Sequence, residues 1–147
     1  MNPYRTHHCE EIRKSHVGQR VKLAGWVDTI RDHGGVTFIH LRDHYGITQV
    51  VMNDEAMMAG VCRECVISVE GSVRERGSDT INPKLSTGEV ELQADHLTVL
   101  GKSVSQLPFD VQESIQTRED VRLKYRFLDL RNPVVHKNII KRSAITR

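Results

Sequence analysis

The sequence predicts a mainly β protein: a closed barrel of five strands in Greek-key order, with a helix between the third and fourth strands. A linker and a helical C-terminal segment follow. Two observations carry this prediction. Runs of apolar and polar residues, mostly alternating, occupy 19–30, 36–43, 46–52, 66–74 and 89–100, and alternation turns one face of a strand inward and the other outward. Between the runs lie turn signals, Asp43-His44-Tyr45-Gly46 and the polar stretch ERGSDTINPKLSTG, rich in residues that favour turns.

In chain order, residues 9–15 read as a short helix. Gln19–Ile30 is a long strand with Gly25 as a bend where the sheet curls. Val36–Asp43 and Gly46–Met52 form a hairpin. Asp54-Glu55 opens EAMMAGVCREC, a helix-like stretch with acids in its first turn. Val66–Arg74 is the fourth strand, and Glu89–Leu100 the fifth, with a break expected near Ala94-Asp95. Three strands, a helix and two strands, with a coiled first strand and a long last loop, is the order of the OB-fold. Another small barrel or sandwich with an attached helix is the alternative.

Gly101–Thr117 is a linker by composition. Asn132-Pro133 reads as an N-cap followed by proline in the first helical turn. The helix would run from Val134 onward, with Val135, Ile139 and Ile140 on an apolar stripe that no later element covers. The expected division is therefore a barrel domain over 1–103, a linker or hinge over 104–131, and the start of a truncated further domain over 132–147.

The 147 residues include no apolar run near the ~20 residues of a membrane span, and the N-terminal stretch is not a signal peptide. Three cysteines cannot all pair internally, which fits reduced thiols in a cytoplasm. Residues 1–116 carry 12 basic and 16 acidic side chains, a net −4, whereas 117–147 carry 9 and 3, a net +6. The acidic body excludes a general polyanion binder. Any nucleic acid must be met by a few placed arginines and specific contacts.

On the second strand, Ile39 and Leu41 share one face with Thr37, and Phe38, His40 and Arg42 share the other. An aromatic ring between an imidazole and a guanidinium, away from the core, offers a base a stacking surface and its phosphate a charge. Alternation leaves Phe38 two places, on that open face or in the core after a one-residue slip. Gln49 can read a pyrimidine edge or simply face solvent. Glu91 points away from the core beside Val90 and Leu92. A carboxylate can accept from the exocyclic amine of cytosine, and the alternative is an ordinary exposed acid. Arg31, Arg74, Arg76 and, more weakly, Asn82 are candidates for base edges and backbone, or plain surface residues. Cys62 and Cys65 have CxxC spacing without the four ligands of a zinc site, so no metal is expected. Neither a Ser-His-Asp set nor a Gly-rich phosphate loop is present.

Four segments, YRTHHCEEIRKSHVGQRVKLAGWV, RDHGGVTFIHLRDHYGITQVV, EGSVRERGSDTINPKLSTGEVEL and RLKYRFLDLRNP, in this order resemble the N-terminal region of bacterial aspartyl-tRNA synthetases. The resemblance covers nearly the whole chain. It implies an anticodon-binding barrel whose partner is tRNA, within a homodimeric, cytoplasmic parent that joins aspartate to tRNA with ATP and Mg²⁺. It also implies that these 147 residues carry no ATP or aspartate site, need no cofactor and are inactive alone. Phe38 would stack on the central anticodon base and Gln49 would contact the same base. Glu91 would read the third, with Arg31, Arg74, Arg76 and Asn82 on the first base or nearby backbone. His33 with Gly34 is similar to the type that accepts asparagine tRNA as well as aspartate tRNA. Two other classes stay open: a free-standing single-strand binder, and a structural or dimerisation module that binds no RNA.

Overall fold

The first strand, β1 (Arg20–Asp32), is long enough to serve two neighbours. In the computed structural model, which describes residues 2–147, its first half pairs with β4 (Val66–Glu75) and its second half with β2 (Thr37–Arg42). It changes partner around Gly25 and Trp26. A Cβ at Gly25 would stand 2.3 Å from the carbonyl oxygen of Arg42, so only glycine lets the two backbones come this close. β3 (Ile47–Met52) continues the hairpin from β2, and β5 (Val90–Gly101) pairs antiparallel with β4. Parallel pairing of Val50 with Leu92 and Val51 with Gln93 joins β3 to β5 and closes the barrel in the order β1-β2-β3-β5-β4. This is the Greek-key OB-fold expected from the alternation.

The alternating residues fill the interior. Leu23, Ile39, Leu41, Ile67, Val69 and Leu92 are fully buried, each such burial being worth roughly 1.5–3 kcal/mol. The break anticipated near Ala94-Asp95 is a bulge. Gly71 pairs with Ala94 and Glu70 with His96, leaving Asp95 without an opposite residue, and Asp95 then takes two hydrogen bonds from Arg20, at 2.6 and 2.9 Å.

Two expected helices are shorter than predicted. Over 9–15 the only regular turn is 3₁₀, Lys14–His16. Cys9 and Ile12 are instead buried in the barrel core, and the Cys9 amide donates to Asp43 Oδ2 at 2.9 Å. Two apolar residues cannot hold a longer helix against the cost of nucleation. The helix between the third and fourth strands is a single 3₁₀ turn, Glu55–Met58, capped by Asp54, whose Oδ1 accepts from the Ala56 amide at 2.9 Å. Gly60 at φ +80° and Glu64 at φ +60° stop its extension, since neither conformation belongs to a right-handed helix.

The chain divides into two compact units, meeting between Ser105 and Gln106. The second holds α1 (Glu119–Lys124), α2 (Arg126–Asp129) and α3 (Pro133–Ile145). The stretch expected as a linker thus carries two short helices. Phe109, Val111 and Leu128 form its own small core, a pairing of distant residues that composition does not register. Asn132 caps α3: its Oδ1 accepts from the Val134 and Val135 amides, and its Nδ2 donates to Val111 and Gln112 carbonyls. No helix among the described residues is long and apolar enough to cross a membrane.

Candidate nucleic-acid interface

The end of β1, the start of β2, the middle of β3, the exit from β4 and the start of β5 all supply side chains to one place. The β1–β2 turn is closed by the His33 amide donating to the Val36 carbonyl at 2.9 Å, with Gly34 and Gly35 at φ +64° and +94°. Register then sets Arg31 opposite Phe38, and Phe38 opposite Val51. Six of the candidates, Arg31, His33, Phe38, Gln49, Arg76 and Glu91, line one open cavity of about 290 Å³, together with Thr80.

Phe38 is half-buried, between Thr37 and Ile39, which both face the core. Its ring lines the cavity, and the His33 ring stands edge-on to it at 5.5 Å and 80°. Gln49 lies at the cavity floor, only 3% exposed. Its Nε2 donates to Glu91 Oε2 at 3.0 Å, which fixes both polar groups. Arg76 Nε lies 4.0 Å from the same carboxylate oxygen, with the Arg76 side chain 9% exposed. Its Nε and Nη1 are buried without a hydrogen-bond partner. Unmet donors on a buried cation are costly, and a ligand with acceptors at its edge relieves that cost. Burial pulls the Arg76 guanidinium below its ordinary range, Glu91 opposes this, and Arg31 adds to it. The cavity therefore offers a ring face, a fixed carboxylate and carboxamide, and two unused donors. That set suits a flat, hydrogen-bonding ring.

The other candidates lie elsewhere. Arg74 is exposed on β4, opposite Glu91, and donates to the Gln93 side chain. Asn82 builds its own loop: its Oδ1 accepts from the Lys84 amide at 3.0 Å, and its amide donates to the Gly88 carbonyl at 3.1 Å. Gly34 shapes the turn without lining the cavity. Thr80 escaped sequence reasoning because nothing in a polar loop marks which residue folds back.

Arg42 corrects an expectation. Alternation sets it on the open face with Phe38, yet it is 4% exposed. Its guanidinium pairs with Asp28 and makes two hydrogen bonds to Glu64, at 2.6 and 2.8 Å. A register shift between Val27 and Thr29 brings Asp28 inward. Arg42 therefore holds the end of the barrel, its charge compensated by two carboxylates, and is not available to a phosphate. Cys9 and Cys65 are buried in the core, and burial raises both thiols, so they pack as neutral groups. Among the described residues, no cluster of three or more His, Cys, Asp or Glu is placed to hold a metal ion.

The family model of the tRNA anticodon type, described as an OB-fold nucleic acid binding domain, matches residues 21–100. The chain belongs to this OB-fold family. Over 99% of its length it is 51% identical to the aspartate–tRNA(Asp/Asn) ligase of Agrobacterium fabrum, and it spans about a quarter (25%) of that relative. The asparaginyl-tRNA synthetase of Pyrococcus horikoshii superposes with a TM-score of 0.68 at 30% identity, over 86% of this chain and 29% of that one. The aspartyl-tRNA synthetase of Entamoeba histolytica superposes at 0.73 and 18% identity, over 86% and 32%, a likeness of fold alone. The OB-fold match covers β1 to β5 almost to the residue, so every side chain lining the cavity lies inside it.

Proposed function

We propose that this chain is the anticodon-binding module of a cytoplasmic aspartate–tRNA ligase, gripping the anticodon stem-loop of aspartate tRNA. The observation that carries the reading is the convergence of Phe38, Gln49, Glu91, Arg31 and Arg76 on one cavity. Loop bases splay onto the barrel, one stacks on Phe38, and the Gln49 amide and Glu91 carboxylate read edges. Arg31 and Arg76 meet base or backbone acceptors, and Arg74 and Asn82 serve the flanking backbone. The module contributes to catalysis by positioning tRNA. Joining aspartate to tRNA with ATP and Mg²⁺, and homodimer formation, belong to the longer parent whose quarter this chain matches.

The parent accepts asparagine tRNA too. In support, relatives 51%, 48% and 49% identical carry the name aspartate–tRNA(Asp/Asn) ligase, and His33 and Gly34 form the turn over the cavity. Stacking is worth roughly 1–3 kcal/mol per base, so Phe38→Ala is expected to weaken anticodon stem-loop binding about tenfold or more. Filter binding or fluorescence anisotropy on the folded variant measures this. Unchanged affinity removes Phe38 from the interface.

A further inference from the structure

His40 lines no part of the cavity, yet it touches what does. It sits on β2 two residues from Phe38, directly opposite Gln49 on β3. Its Nε2 lies 2.9 Å from Arg31 Nη2. A guanidinium only donates and stays charged, so the imidazole must accept at Nε2 and carry its single proton on Nδ1. A second proton would set an N–H donor against an N–H donor, and charge against like charge.

We propose that His40 is a positioning residue whose neutral ring holds the Arg31 guanidinium at the cavity rim, and whose protonation releases it and blunts discrimination between anticodon loops. The inference rests on the anticodon-binding reading above.

The groups facing His40 come from two strands and a strand exit: Arg31 and Asp28 from β1, Gln49 from β3, and Arg76 beyond β4. Burial of the half-buried ring lowers its proton affinity most, and Arg31 and Arg76 act the same way. Asp28 and Gln49 oppose them. The ring therefore ionises below the ordinary value of 6.5. Discrimination is complete above that value and fades as pH falls through the lower one.

The test measures binding of a matched and a scrambled anticodon stem-loop RNA to the chain from pH 8 to pH 5. The ratio of the two affinities cancels the general gain of positive charge on acidification. For the unaltered chain the ratio should fall about tenfold, the effect of losing one charge-assisted hydrogen bond. His40→Gln keeps an acceptor that cannot titrate, so its ratio should stay flat. His40→Leu should be low throughout. Identical pH profiles for the unaltered chain and His40→Gln, or a normal ratio for His40→Leu, overturn the proposal. Nitrogen NMR of the unaltered chain tests it without any variant, because at pH 8 the proton must sit on Nδ1. A proton on Nε2 overturns it. If the unaltered chain binds neither RNA at any pH, the anticodon-binding reading itself fails and takes this inference with it. Normal matched binding with an indifferent His40 removes the inference alone.

Discussion

Gln49 and Glu91 are polar residues fixed to each other at the floor of a cavity. Glu91 accepts one hydrogen bond from Gln49, and a carboxylate has capacity for more, so it can accept from a cytosine amine as well. Replacing Glu91 with Gln keeps the shape and removes the charge. This is expected to reduce the preference for cytosine over a purine at the third anticodon position about tenfold, the lower end of a single base contact. Binding of stem-loops that differ only at that base measures it, and undiminished preference takes Glu91 out of base reading. Alternation alone places Glu91 outward, and it leaves Phe38 undecided until the register with Arg31 and Val51 is known. It fails at Arg42. A period of two counts positions along one strand and cannot see that Asp28 and Glu64 approach from elsewhere to neutralise a guanidinium.

Each strand was legible because its own residues decide it. Of the helices, α3 was legible from its own cap, Asn132-Pro133, but the others were not: EAMMAGVCREC is helical by composition and ends as one turn before Gly60. The Phe109–Val111–Leu128 core joins residues far apart in sequence. Gly25 is the element-scale point on which the barrel turns, and its sequence signal, a glycine inside a strand, was sufficient. Gly25→Ala forces a methyl against the Arg42 carbonyl and should destabilise the barrel by about 1–3 kcal/mol, seen as a lower urea midpoint with an unchanged slope. A midpoint equal to that of the unaltered chain would show that the backbones do not approach as described.

The chain carries its excess positive charge after residue 116, with a net −4 over residues 1–116. The proposed anticodon reading then expects few phosphate contacts, through Arg31, Arg74 and Arg76. At about −0.7 per contact on single strands, the logarithm of affinity should fall against the logarithm of salt with a slope near −2. A far steeper slope means that the basic residues after 116 bind RNA as well. In the C-terminal unit, burial pushes Asp129 up, but the bonds from Arg122 and the charges of Arg122 and Arg126 outweigh it and hold the carboxyl below 3.8. Its stabilising contribution is therefore complete above 3.8 and lost as pH falls through the lower folded value. Asp129→Asn should loosen this unit by about 1–3 kcal/mol, discounted for the partly exposed arginines. Amide exchange in α1 and α2 reads that loss, and unchanged protection contradicts it.

Competition between a matched and a scrambled anticodon stem-loop for the folded chain, at fixed salt and pH 7.5, tests the central claim most directly. The cavity around Phe38, Gln49 and Glu91 requires the matched loop to win by tenfold or more. Equal binding of both loops, or of neither, contradicts it.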